Sequence, residues 1–173
     1  IVEDGLVLTR QDFIGRVARF AGFLQDKVAP GDHVAMMLGK IRKAEAENIR
    51  VHPGDARDMM DVLPEGSVER AFLLYPDPWP KKRHHKRRFI NSVTLSALAR
   101  ILKPGAKFRV ATDIEDYATW ALGHILRHDQ FNWPQQEAGT WHQPWADWQP
   151  TRYEQKARKE GRSVSSYFSF VRI

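Results

Sequence analysis

Helix-like and strand-like segments alternate along the chain from about residue 34 onward, and this alternation restricts the possible folds more than any other feature of the sequence. Strand-like segments are short and rich in β-branched and aromatic residues, whereas helical segments repeat apolar residues every three or four positions. We predict strands over residues 48–52, 68–75, 107–112 and 166–171, and helices over 9–27, 34–46, 58–63, 95–102 and 116–127. Such alternation favours an α/β fold, with a mostly parallel sheet and helices on both faces.

The segment Val68–Tyr75, VERAFLLY, is polar only at its start and ends in an uninterrupted apolar run. Strands of parallel sheets carry such runs when helices cover both of their faces. We therefore expect this strand to be covered on both faces.

Three acidic residues follow predicted strands: Asp55, Asp77 and Asp113. In open α/β sheets, ligands bind beyond the carboxyl ends of the strands. Any one of these residues could instead be a helix cap or a turn residue. Their common position after successive strands favours a ligand site at that edge of the sheet.

The excess positive charge of the chain is concentrated in one octapeptide. Residues 81–88, KKRHHKRR, contain six of the 27 Lys and Arg residues and none of the 21 Asp and Glu residues, so the charges of the remaining chain balance. A dense basic cluster in an otherwise neutral protein is typical of a site for a polyanion, most often nucleic acid. The alternative is a basic loop that is only solvated.

The octapeptide directly follows an acidic residue that is locked between two prolines, in the segment Tyr75–Pro80. Proline on either side keeps Asp77 out of a helix or a strand ladder, and Trp79 offers a flat apolar surface beside it. A carboxylate and an aromatic ring together suit a guanine base, whose Watson–Crick edge carries N–H donors. The alternative is a stiff turn with Trp79 in the core.

The chain contains no cysteine, which excludes disulfides, thiolate zinc sites, iron–sulfur clusters and cysteine nucleophiles. His84 and His85 are adjacent, so their side chains diverge, and no metal site is expected there. No apolar run approaches the roughly 20 residues that a membrane span needs. We expect a cytoplasmic protein whose chemistry depends on polar side chains or a bound cofactor.

Three segments in this order resemble the tRNA (guanine-N7)-methyltransferase family: YPDPWPKKRHHKRR, LKPGAKFRVATDIEDYA and TRYEQKARKEGR. The resemblance covers about residues 34–173 and implies a Rossmann-like fold that depends on S-adenosyl-L-methionine. It implies methyl transfer from that cofactor to N7 of guanine 46 in the variable loop of tRNA. Residues 1–33 are then an atypical helical segment before the methyltransferase-like domain, and the first strands of the fold are incomplete.

The resemblance also implies roles for individual residues. Asp77 matches the catalytic aspartate and lies beside the cofactor, and Asp55 matches an acid beside the cofactor's adenine. The positions that match substrate-binding residues are Lys81, Asp113, Thr151, Arg152, Tyr153 and Glu154. Those that match the tRNA-binding segment are Arg83, His84, His85, Lys86, Arg87 and Arg88.

One family motif is missing from the sequence. The catalytic domain of this family begins with a glycine-rich turn that cradles the cofactor, and no two glycines of this chain are separated by a single residue. We therefore predict weak binding of S-adenosyl-L-methionine. The alternative function is a non-catalytic tRNA-binding remnant that has kept the basic segment and lost the cofactor site.

Overall fold

The computed structural model describes residues 54–134, 139–148, 150–161 and 165–173, together with short strands at 2–3, 6–7, 33–36 and 49–52. The chain divides into two compact units, Ile1–Pro64 and Glu65–Ile173. Within the described residues, no helix is long and apolar enough to cross a membrane.

Four short strands of the first unit lie within the described residues. Strands β1 (Val2–Glu3) and β2 (Leu6–Val7) are antiparallel, and strands β3 (His33–Met36) and β4 (Ile49–His52) are parallel. Strand β4 confirms the prediction at 48–52.

The predicted helix over 34–46 is wrong at its start, because residues 34–36 belong to β3. A short apolar run suits a helix or a strand equally, and the parallel pairing with β4 decides between them. The remaining residues of that prediction, and the predicted helix over 9–27, lie outside the described residues.

Helix α1 (Ala56–Val62) follows β4 and agrees with the helical turns predicted at 58–63. Asp55 caps its first turn, because the carboxylate accepts a 2.9 Å hydrogen bond from the Arg57 backbone N–H. Met59 and Met60 on this helix are fully buried.

The second unit holds a four-stranded sheet in the order β5–β6–β8–β7. Strand β5 is parallel to β6, whereas β8 is antiparallel to both β6 and β7. The elements of this unit are β5 (Val68–Leu74), α2 (Ser92–Ile101), β6 (Leu102–Thr112), α3 (Glu115–Ile125), β7 (Phe131–Asn132), α4 (Arg152–Lys159) and β8 (Ser166–Arg172), with 3-10 turns at Lys82–Arg87 and Thr140–His142. The α/β fold is thereby confirmed.

Helix α2 lies in the crossover connection that parallel strands β5 and β6 require. It starts at a capping box, in which Asn91 and Thr94 each accept a hydrogen bond from the other's backbone N–H. The helix ends one residue before the predicted boundary, and Leu102 already belongs to β6. Leu102 pairs with Val68, so β6 begins five residues before its predicted start at 107 and includes Pro104 and Gly105. The register of the pair shifts between Val68 and Arg70, and proline and glycine within strands are typical of such irregularities.

The two faces of the sheet pack against different aromatic groups. On one face, Phe108 contacts Phe131 and Phe170, with ring centroids 6.0 and 6.2 Å apart. On the other face, Tyr167 lies under Trp145 and Trp148. Residues 108–112 of β6 are all buried, so this strand is covered on both faces.

Strand β5 differs from the prediction that both of its faces are covered. Phe72 is 48% exposed and Leu74 is 38% exposed. In the described four-stranded sheet, β5 lies at an edge, with β6 as its neighbour. An apolar run specifies the strand, but its place in the sheet depends on pairing with distant residues.

Candidate active site

The carboxyl ends of β5 and β6 and the start of β8 meet at one edge of the sheet, because β8 runs antiparallel to β6. Tyr75 follows β5, and its backbone N–H donates to Ala111 O at 2.8 Å. Ser165 directly precedes β8, and its hydroxyl lies 3.2 Å from the Tyr75 hydroxyl. Burial raises the pKa of Tyr75 well above its ordinary value, so the phenol stays neutral.

The first turn of α4 joins this edge. Tyr153 Oη donates to Asp113 Oδ2 at 3.0 Å, and the Tyr153 ring lies 4.9 Å from that of Tyr75. The structure therefore brings together Asp113, Tyr153 and the strand end that leads to Asp77. We call Tyr75, Asp113, Tyr153 and Ser165 the strand-end cluster. Thr151 caps α4 by accepting the Glu154 backbone N–H, and the side chain of Arg152 lies outside the described residues.

Glu154 is buried, and side chains of the protein itself donate hydrogen bonds to its carboxylate. Its carboxylate accepts from Trp148 Nε1 at 2.9 Å and from Tyr167 Oη at 2.7 Å, and it also binds the Arg158 guanidinium. Burial opposes ionisation, but the hydrogen bonds from Tyr167 and Trp148 and the charge of Arg158 outweigh it and lower the pKa of Glu154. The carboxylate thus ties α4 to β8.

The loop from Tyr75 to Pro80 has an unusual backbone on both sides of Asp77. Tyr75 has φ of 50° and Trp79 has φ of 43°, and these are the non-glycine residues with positive φ in the described part of the chain. The left-handed region is unfavourable for L-residues by roughly 1–2 kcal/mol each. Such conformations persist where neighbouring groups enforce them, and they occur often at functional sites. Asp77 between them is exposed.

Trp79 carries a cationic neighbour on its ring. The Arg87 guanidinium lies 4.9 Å from the ring centroid, and the His84 ring meets Trp79 edge-on at 5.9 Å. A guanidinium at this distance is attracted to the aromatic face. The structure therefore joins the loop that bears Asp77 to the basic segment.

The basic segment folds into the 3-10 turn Lys82–Arg87, which contains no acidic residue. Four side chains of this turn are exposed, and so is that of the residue before it: Lys82, Arg83, Lys86 and Arg87, with Lys81. His84 and His85 are half-buried, and His85 packs against Trp120 at 5.2 Å. Among the described residues, no group of three or more potential ligands could hold a metal ion.

Arg88 departs from the expectation that the whole basic segment contacts RNA, because its side chain is buried. Its Nε donates to Pro78 O at 2.8 Å, and its Nη2 binds the carboxylate of Asp116 on α3. The hydrogen bond from Arg88 also lowers the pKa of Asp116. The sequence of a basic run does not indicate which of its side chains is buried. Contact with Asp116 on α3 decides that Arg88 is the buried one.

Asp55 belongs to the first unit. Its carboxylate accepts from the backbone N–H and from Nη1 of Arg57, at 2.9 and 3.0 Å. The first bond is that of a helix cap and the second is an ion pair with the Arg57 side chain, and the contact with a cofactor stays a prediction.

Sequence reasoning did not identify Tyr75, Ser165 or Asp116 as parts of the site. Tyr75 directly precedes the Pro-Asp-Pro segment, so its position in the sequence could have placed it in the same loop as Asp77. Ser165 and Asp116 have no such signal, because β8 and α3 bring them to the loop from distant positions in the chain.

Comparison with known proteins identifies the family. A family model described as "Putative methyltransferase" matches residues 31–167. The chain is 60% identical over 140 residues to the tRNA (guanine-N(7)-)-methyltransferase of Ruegeria pomeroyi, which is 81% of this chain and 58% of that protein. It is 60% identical over 139 residues to the enzyme of that name from Roseobacter denitrificans, covering 80% and 59% of the two chains.

The chain spans a little more than half the length of these curated relatives. Among solved structures, an S-adenosyl-L-methionine-dependent O-methyltransferase of Thermotoga maritima is 14% identical, with a TM-score of 0.40 over 73% of this chain and 41% of that one. That likeness is too low to bear on the site. The family match covers most of the chain and the identity to its named members reaches 60%, so the chain belongs to the tRNA (guanine-N7)-methyltransferase family.

Proposed function

We propose that this protein acts on tRNA in the cytoplasm and transfers a methyl group from S-adenosyl-L-methionine to N7 of guanine 46 in the variable loop. One observation carries the proposal. An exposed carboxylate, Asp77, is held in a strained loop at the carboxyl ends of parallel strands, directly before a turn of exposed basic side chains.

Methyl transfer to N7 requires alignment of the reacting atoms and does not require proton transfer. N7 of guanine has an in-plane lone pair and carries no proton, so attack on a methyl group needs no general base. Alignment of the reacting atoms at about 3 Å supplies most of the rate enhancement. In our proposal Asp77 accepts hydrogen bonds from the Watson–Crick edge, which leaves N7 on the opposite edge of the base free.

The carboxylate has a second effect as the reaction proceeds. Methylation at N7 leaves the guanine ring with a positive charge. A fixed negative group beside the ring stabilises that charge as it develops in the transition state. Asp77 meets both requirements, whereas an uncharged hydrogen-bond acceptor meets only the first.

The groups around Asp77 suit the remainder of the tRNA. The basic turn presents Lys81, Arg83, Lys86 and Arg87 to phosphates, and such contacts dominate the affinity of proteins for nucleic acids. Tyr153 and Asp113 in the strand-end cluster offer a phenol and a carboxylate to the substrate nucleoside. In this proposal Glu154 supports α4 and does not touch the substrate.

The described residues do not by themselves fit the methyl donor. Nucleotide cofactors are cradled by glycine-rich turns at the carboxyl ends of strands. Gly66 precedes β5 and Gly105 lies in the amino-terminal part of β6. Gly54 does follow β4, but it is a single glycine directly before the helix cap Asp55. Asp55, the predicted adenine neighbour, already accepts two bonds from Arg57.

This misfit favours a second candidate, a protein that binds tRNA without methylating it. Both candidates predict binding through the basic turn, and they differ in cofactor affinity and in product. The test is to incubate the chain with tRNA and S-adenosyl-L-methionine and to measure 7-methylguanosine by mass spectrometry of nucleosides. A tRNA in which guanine 46 is replaced by adenine is the control.

Formation of 7-methylguanosine on the guanine 46 tRNA alone supports methyl transfer at the proposed position. Product on both tRNAs would refute the assignment of guanine 46. Absence of product together with retained tRNA binding would favour the second candidate, and absence of tRNA binding would refute both.

A further inference from the structure

The loop that bears Asp77 is held from inside the protein by one buried cation. Arg88 Nε donates to the carbonyl of Pro78, the residue between Asp77 and Trp79, at 2.8 Å. The guanidinium also binds Asp116 on α3 and lies 4.9 Å from the ring centroid of Trp120. Its side chain has no exposed surface. A buried charge with several partners is a fixed point, because leaving any of them unpaired is costly.

The loop needs such a fixed point. Positive φ at Tyr75 and Trp79 is unfavourable for both residues, and three prolines at 76, 78 and 80 leave few backbone N–H groups to form hydrogen bonds. Tyr75 is fixed at one end through its N–H and Ala111 O. At the other end, the bond from Arg88 to Pro78 O fixes the peptide group between Pro78 and Trp79.

We infer that Arg88 is a positioning residue: it sets the place of Asp77 and Trp79 and makes no contact with tRNA. The basic segment is thereby divided between two tasks. Its exposed members bind phosphates, and its last member holds the loop. The catalytic part of this inference rests on the proposed function, whereas the division of tasks rests on burial and hydrogen bonds alone.

Arginine suits this place for a reason that separates it from lysine. The planar guanidinium donates in two directions at once, to Pro78 O and to Asp116, and its Cζ lies over the Trp120 ring, 4.9 Å from the centroid. A lysine ammonium keeps the charge but loses the fork and the flat face. Arg88→Lys is therefore a matched variant, since a phosphate contact tolerates it and a positioning contact does not.

The first measurement is tRNA affinity as a function of salt for the wild-type chain, Arg88→Ala and Arg87→Ala. Loss of one phosphate contact lowers the slope of log affinity against log salt by about 0.7–0.9. We expect that decrease for Arg87→Ala, whose side chain is exposed, and an unchanged slope for Arg88→Ala. Arg88→Gln replaces the Ala variant if the latter does not fold. A slope that falls equally for both positions would overturn the inference.

The second measurement compares kcat and KM for tRNA between wild type and Arg88→Lys. A displacement of about 1 Å in a reacting geometry costs roughly 100-fold in rate. We expect kcat to fall 10- to 100-fold while KM for tRNA stays within twofold. A rise in KM with unchanged kcat would mark Arg88 as a tRNA contact and would refute the positioning role.

The third measurement needs no activity and separates this inference from the proposed function. Amide hydrogen exchange of Tyr75, whose N–H donates to Ala111 O at the start of this loop, is expected to accelerate at least tenfold in Arg88→Lys, with β8 unchanged as the internal control. Equal exchange in wild type and variant would refute the inference. A wild-type chain that forms no 7-methylguanosine would refute the proposed methyl transfer, while the salt slope and the exchange rates would still decide the role of Arg88.

Discussion

Replacing Glu154 with glutamine tests whether this residue supports the fold or contacts the substrate. The wild-type carboxylate is 2% exposed and accepts bonds from Trp148, Tyr167 and Arg158. Glutamine keeps the volume, but its NH2 group replaces one acceptor oxygen and the negative charge is lost. At least one of the three donors then loses its partner.

The magnitude follows from these contacts. A hydrogen bond to a charged group contributes about 1.5–3 kcal/mol, and a buried donor left unpaired costs a similar amount. Arg158 is largely exposed, so its ion pair adds little. We expect Glu154→Gln to lower the free energy of unfolding by about 2–3 kcal/mol.

The assay is urea unfolding, with Glu160→Gln, at the C-cap of the same helix, as the control. Glu160 is exposed and faces Lys156 at 3.8 Å, so its replacement is expected to change stability by less than about 0.5 kcal/mol. Unchanged stability of Glu154→Gln together with lost methyl transfer would refute our reasoning and mark Glu154 as a substrate contact.

The lowered pKa of Glu154 gives this prediction a pH dependence. A carboxyl whose pKa is lower in the folded state stabilises the protein above its ordinary value of 4.5, and this contribution disappears as pH falls through the folded-state pKa. The stability difference between wild type and Glu154→Gln should therefore be full at pH 7 and shrink below pH 4.5. A difference that grows on acidification would show that the sign is wrong.

Three further predictions concern the tRNA and cofactor sides of the site. Asp77→Asn keeps the shape of the loop and removes the charge, so methyl transfer should lose about 2–4 kcal/mol of transition-state stabilisation with a smaller change in tRNA affinity; full turnover would make Asp77 only a turn residue. Joint replacement of Lys86 and Arg87 with alanine should lower the salt slope of tRNA binding by about 1.4–1.8, and an unchanged slope would remove the basic turn from the interface. Calorimetry should give a Kd for S-adenosyl-L-methionine at least about 100-fold above micromolar. The reason is that the sequence lacks the glycine-rich turn, whose three or four hydrogen bonds to the cofactor contribute about 1 kcal/mol each; a micromolar Kd would contradict this.

Much of the element order followed from local pattern. The strands at β4, β5 and β8 and the helices α1 and α3 lie where periodicity predicts them, because the alternation of apolar residues and the Pro-Gly breaks are properties of neighbouring residues. The three motif segments also led to the family, which the comparisons confirmed.

Tertiary structure decided what depends on distant partners. Pairing with β4 made residues 33–36 a strand, and the sheet order left Phe72 and Leu74 of β5 exposed. Likewise, the contact with Asp116 on α3 buries Arg88, one of six basic residues in residues 81–88. The sequence by itself determined which chemistry the strand ends carry, because that depends on residue type. Only the fold decided which of those side chains face solvent and which hold the others in place, because burial is set by contacts between residues far apart in the chain.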